Sequence, residues 1–169
     1  MRQGDSARAD DDRPLLILDL DGVISPYGTQ PRGGLQLARV GGYRMLYRPA
    51  VVEVLNDIHL DGVIDLRWLT SWGNDARTHV APTLGLGDFP LLDTIDQDRP
   101  PAASPKLDSI RRCVPLGRRF AWIDDDITAT HRRELTNSYG PACLLLQPPA
   151  TTGITADDLD IARNFLAAP

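Results

Sequence analysis

One lysine and two glutamates are present in a chain of 169 residues. Charge is carried instead by 17 arginines and 21 aspartates, with a net charge of −5. That balance disfavours nucleic-acid binding by bulk electrostatics, which needs a basic face, while leaving room for a local basic patch. Cysteine is scarce too. Cys113 and Cys143 have neither metal-ligand spacing nor the look of a disulfide framework, and His59, His79 and His131 join no His/Cys cluster. No apolar run approaches the roughly 18 residues of a membrane span. The opening MRQGDSARADDDRP lacks an apolar h-region, so no secretory leader is expected. Residues 1–13 read as a disordered tail, residues 14–169 as one domain, and the expected location is cytoplasmic.

What is present is an alternation of strand-like and helix-like segments. Strands are expected at LLILDL (15–20), VIDLRWLT (63–70), DFPLLD (88–93), RFAWID (119–124) and ACLLLQ (142–147). The Gly-Gly pairs in 32–49 suggest a hairpin. Helices are expected over 49–60, 75–84 with Asn74 as cap, 105–113, 128–138, and 155–168 with Thr155 as cap. A Pro-rich loop fills 96–105. Apolar strands alternating with helices imply an α/β fold, a mostly parallel sheet covered on both faces. Such sheets bind ligands beyond the carboxyl ends of their strands.

Two carboxylates, Asp19 and Asp21, end the first strand. Asp-x-Asp is a cheap pattern in so Asp-rich a chain, since chance alone yields roughly 2.6 copies. Five occur, starting at residues 10, 19, 96, 124 and 158, and only those at 19 and 124 directly follow an apolar strand. Both acidic groups therefore fall on one sheet edge. Clustered carboxylates push one another toward the neutral form, and a divalent cation reverses that. Carboxylates combined with a substrate phosphate are what Mg²⁺ takes. The acidic edge thus predicts Mg²⁺, and the metal predicts a phosphorylated substrate. Thr70 and Ser71 end the second strand with hydroxyls able to bond a phosphoryl oxygen. Lys106 follows the Pro-rich loop, where its compact ammonium can pair both a carboxylate and a transferring phosphoryl group.

In order and rough spacing, LDLDGVIS, RWLTSW, Lys106 and FAWIDDD resemble the haloacid dehalogenase superfamily over about residues 15–147. The resemblance implies a Rossmann-like three-layer sandwich with five strands in the order 3-2-1-4-5. It also implies Mg²⁺-dependent phosphatase chemistry. In that pattern Asp19 is the nucleophile that forms an aspartyl-phosphate, and Asp21 is the general acid and then the base. Thr70 binds the phosphoryl group and Lys106 steadies its charge. The ion is held by the Asp19 side chain, the Asp21 backbone carbonyl and an acid of the third cluster, with Asp125 preferred, Asp124 next and Asp126 solvated. Ser71 can share the role of Thr70. The further acid often found about four residues on is absent, since Thr128, Ala129 and Thr130 stand there.

Residues 22–48 have room for a hairpin flap and residues 73–105 for core elements, so no large cap is expected. An open site suits a bulky phosphorylated substrate, nucleic-acid ends included, or borrows a cap from another copy. The competing interpretation is a non-catalytic domain, either a silent member of the same superfamily used as a binding module or a receiver-like phospho-acceptor. In a receiver, however, the lysine comes last, whereas Lys106 precedes the second acidic group. Trp72 is read as stacking a substrate ring or simply packing, and Arg132 and Arg133 beside His131 as a solvated helix face.

Overall fold

The computed structural model describes residues 12–93 and 103–168. The expected tail through residue 11 and the Pro-rich loop through residue 102 lie outside the described residues. β1 (Leu15–Leu18) runs through the middle of a fully parallel four-stranded sheet, between β4 (Asp65–Trp68) on one side and β5 (Phe120–Ile123) then β6 (Cys143–Leu146) on the other. All four β1 residues are completely buried. This is why they read as an unbroken apolar run: a strand covered on both faces has no solvent side to alternate with.

The period of two in that strand sorts its side chains between two cores. Leu16 and Leu18 face one core, shared with Val51 and Leu55 of α1 (Pro49–Asp61) and with Leu159 and Ala162 of α5 (Ala156–Ala167). Leu15 and Ile17 face the other, shared with Leu107 and Ile110 of α3 (Pro105–Cys113) and with Leu135 of α4 (Ala129–Tyr139). Helices on both faces of a parallel sheet make a Rossmann-like α/β fold. Among the described residues no helix is long and apolar enough to cross a membrane.

Two local expectations are corrected. The segment 88–93 does not form a strand. It meets the sheet through a single bridge, Leu91 to Trp68, with Trp68 N donating to Pro90 O at 2.9 Å and Leu92 N donating to Trp68 O at 2.8 Å. Pro90 has no N–H to extend a ladder, so among the described residues the sheet has four strands, β4-β1-β5-β6, and the five-strand order is not confirmed. Asn74 does not cap the helix after β4. That helix is a π-helical turn (Ala76–Val80) running into α2 (Ala81–Leu84), preceded by Asp75 with no side-chain cap bond. Pro82 lies at the start of α2 and donates no amide, and a π turn is one way a helix absorbs such a gap. Thr155 does cap α5, in a reciprocal box with Asp158.

The strands end level with one another. Leu18 pairs with Trp68 on one side and Ile123 on the other. The ladder runs one residue further, with Asp19 N donating to Ile123 O at 3.0 Å and Asp124 N donating to Leu146 O at 3.1 Å. The acid-bearing residues are therefore the last rungs of the core sheet. At the opposite edge the buried carboxylate of Asp65 is neutralised by Arg67 at 2.8 Å and Arg118 at 3.0 Å. The expected hairpin is present as β2 (Gln36–Val40) and β3 (Tyr43–Tyr47), antiparallel and joined at Gly41–Gly42.

Candidate active site

After β1 the chain turns sharply, with Ser25 N donating to Leu20 O and Gly22 N donating to Ser25 O, each at 2.9 Å. Gly22 adopts φ +71, and a Cβ added there would overlap the carboxylate of Asp125. Its missing side chain is what lets the β1 and β5 turns approach each other. Asp19 and Asp124 are buried, at 6% and 0% exposure, while Asp125 is half-buried. Carboxylate oxygens of Asp19, Asp124 and Asp125 lie within 4.8 Å of one another.

Lys106 joins this group from the first turn of α3. Its ammonium donates to Asp19 Oδ2 at 2.6 Å and to Asp124 Oδ2 at 2.5 Å. The other Asp19 oxygen accepts from Leu20 N at 2.7 Å, and the other Asp124 oxygen from Asp126 N at 2.9 Å. A cation in a helix's first turn opposes the helix dipole, and here the two carboxylates outweigh that cost. Burial works against the Lys106 charge, yet the Asp19 and Asp124 carboxylates prevail and hold its pKa above the ordinary lysine value. Burial, reinforced by the Asp19 charge, pushes both Asp124 and Asp125 above the usual carboxylate range.

Three carboxylates facing one ammonium leave excess negative charge in a poorly solvated place. The donor set consists of hard oxygens and fits a divalent ion such as Mg²⁺. A stability test follows from the raised Asp124 and Asp125 values. A carboxyl group whose folded pKa is raised stabilises the fold below its unfolded pKa, and that contribution is lost as pH rises through the folded value. A cation that binds the ionised form restores it. Mg²⁺ should therefore raise the melting temperature by a few degrees near pH 8 and by almost nothing near pH 4. Differential scanning fluorimetry with EDTA controls measures this, and equal shifts at both pH values would refute it.

Asp21 stands apart from the three-acid group. Its Oδ2 accepts from Trp72 Nε1 at 2.9 Å. The sequence offered a stacking or packing role for Trp72 and missed this bond, which joins residues 51 positions apart. Tyr27, likewise unforeseen, is an exposed phenol near this edge. Its pKa is raised by partial burial and by the Asp125, Asp21 and Asp19 charges. Thr70, Ser71, Lys106 and Asp126 border a cavity of about 690 Å³. Thr70 Oγ1 accepts weakly from Trp72 N at 3.4 Å.

The remaining polar candidates have partners of their own, and His131 also borders the cavity. His131 takes Thr128 N on Nδ1 at 3.2 Å and meets Ser104 Oγ with Nε2 at 2.6 Å, its ring tilted against Trp122 at 5.3 Å. Arg132 pairs with Gln147, and Arg133 with Glu134, on the exposed face of α4. His59 packs edge-on to Phe89, and His79 lies beside Asp75. Cys113 and Cys143 form no disulfide, and burial pushes the Cys143 thiol up to about 12. No protein-family model matches the chain, and no curated protein matches it.

Proposed function

We propose that the protein is a Mg²⁺-dependent phosphatase of the haloacid dehalogenase type. It would hydrolyse phosphoric monoesters through an aspartyl-phosphate on Asp19. The observation that carries this proposal is the Lys106 bridge between Asp19 and Asp124 at the carboxyl edge of the sheet. A lone ammonium there holds the Asp19 carboxylate in position and offers a positive partner to the phosphoryl oxygens. Further support comes from the flap. Residues 22–52 carry four arginines, Arg32, Arg39, Arg44 and Arg48, and no carboxylate. Arg39 and Arg44 are directly opposed across the hairpin. Such a like-charge pair is unfavourable by itself, and an anionic substrate reaching the flap would relieve it.

In the proposed reaction an Asp19 carboxylate oxygen attacks phosphorus while Asp21 gives its proton to the departing ester oxygen. Asp21, now a carboxylate, next takes a proton from the water that attacks the phosphoaspartate. Water thus supplies the oxygen of inorganic phosphate, and Asp19 is regenerated. Thr70 donates its hydroxyl to a phosphoryl oxygen. Asp19, Asp125 and the Asp21 carbonyl would hold Mg²⁺. Asp125 is preferred to Asp124 because Asp125 is half-buried, whereas Asp124 is completely buried. When bound, the ion offsets the negative charge of the carboxylates and the phosphoryl group.

The test is a panel of nucleotide, sugar, protein and nucleic-acid-end phosphates plus an aryl phosphate, with Mg²⁺. Asp19→Asn and EDTA-treated samples should each lose at least about 10³-fold in turnover. Mg²⁺ should restore the EDTA sample alone. Full activity in either sample refutes the assignment. Stoichiometric labelling of Asp19 without turnover would favour a receiver-like phospho-acceptor.

A further inference from the structure

Asp21 must aim a proton at the leaving oxygen, yet it sits half-exposed on a turn. We propose that Trp72 is the positioning residue that aims it, and that the hairpin flap holds Trp72 in place. This inference rests on the phosphatase assignment for the same site. Indole N–H is a donor and never an acceptor. Its bond to Oδ2 at 2.9 Å therefore fixes that oxygen as an acceptor, sets the plane of the carboxyl group and leaves Oδ1 for the leaving oxygen.

The three indoles of the chain differ in a telling way. Trp68 and Trp122 are fully buried, and their Nε1 atoms have no partner among the described residues. Those two are core residues chosen for their bulk. Trp72, half-buried at the mouth of the site, is the indole whose N–H engages a side chain. Its ring is met edge-on by Tyr43, with centroids 5.4 Å apart and planes at 77°. Tyr43 opens β3 just after the hairpin turn and is 65% exposed. A large aromatic left that exposed buries little area of its own, and the ring it meets is the one that orients Asp21. The chain of contacts runs from flap tip to Tyr43, to Trp72, to Asp21.

Leaving-group dependence separates this role from packing. A good leaving group such as p-nitrophenolate departs with little help from a proton, whereas an alkoxide needs one. For a reaction through a covalent intermediate, kcat/KM reports only steps up to loss of the leaving group, so the later hydrolysis does not blur the comparison. Trp72→Phe keeps a ring against Tyr43 and removes the N–H. Its kcat/KM should fall at least about 30-fold on alkyl phosphates, a large part of a general-acid contribution of about 10²–10⁴-fold, and stay within about 3-fold on p-nitrophenyl phosphate. Tyr43→Ala, an exposed change that leaves the core intact, should show the same pattern more weakly, and Tyr43→Phe should match wild type. If Trp72→Phe lowers all esters by one common factor, or none, the positioning role is wrong even with Asp19→Asn inactive. If the wild-type protein cleaves no ester, the phosphatase assignment itself fails, and this inference with it.

Discussion

Replacing Lys106 with Met should lower aryl phosphate turnover by about 10²–10³-fold, the usual loss when a charge-stabilising donor is removed from a reacting site. It should also destabilise the fold. The ammonium lies 2.6 Å from Asp19 Oδ2 and 2.5 Å from Asp124 Oδ2, and Asp124 is fully buried. Stripping one partner from a buried ion pair costs about 3–5 kcal/mol when the remaining charge stays ionised. Here the remaining charge has an escape: burial and the Asp19 charge already favour the protonated form of Asp124. Its protonation stabilises the variant at acid pH, and that relief is lost as pH rises through the folded value. The stability gap between wild type and Lys106→Met should therefore be small near pH 4 and widen toward pH 8, as read by urea denaturation. Lys106→Arg should rescue poorly, because a planar guanidinium cannot reproduce a point charge shared by two carboxylates. A pH-independent gap would show that the bridge is not what holds Asp124 ionised.

Gly22→Ala should be nearly as damaging, for a steric reason. A non-glycine residue in the left-handed region costs about 1–2 kcal/mol, and overpacking adds about 1–3 kcal/mol. Gly22 incurs both, with φ +71 and the Asp125 carboxylate where the Cβ would lie. The expected loss is about 2–5 kcal/mol, together with loss of the Mg²⁺-dependent rise in melting temperature, because Asp125 must move. Gly33→Ala is the control. Gly33 has φ +56 but nothing within 4 Å of an added Cβ, so it should show the backbone cost alone. Equal losses in the two variants would remove the steric argument.

The parts of this protein that were legible in sequence are those set by local pattern. LLIL is uniformly apolar because β1 is central, and Thr155 with Asp158 marks a helix start through a bond spanning three residues. The grouping of Asp19 and Asp124 could also be anticipated, because parallel strands deliver their carboxyl ends to one edge, and Lys106 joins them from a helix start. Segment 88–93 was misjudged because apolar content says nothing about an absent N–H at Pro90. The turn at Ala76–Val80 was missed because a single proline decides how the hydrogen bonds there are redistributed. Trp72 lay beyond reach for another reason. Its neighbour in space, Asp21, is set by the tertiary meeting of the β1 and β4 turns, and nothing in SWG announces it.

The extension of the ladder through Asp19 and Asp124 bears on how the molecule fails when warmed. The Asp19 amide bonds to Ile123 O inside the central sheet, so it should resist hydrogen exchange about as long as β1 itself. The proposed nucleophile cannot be misplaced without melting the core. Asp21, in contrast, is oriented by one indole N–H, and that indole leans on an exposed hairpin residue. That hairpin is tied to the core through Val40, Met45 and Leu46, but its exposed tip opens more readily than the central sheet. On heating, the molecule should therefore lose its hold on the leaving-group proton while Asp19 and Lys106 still sit in place, and activity on alkyl esters should fade before activity on aryl esters.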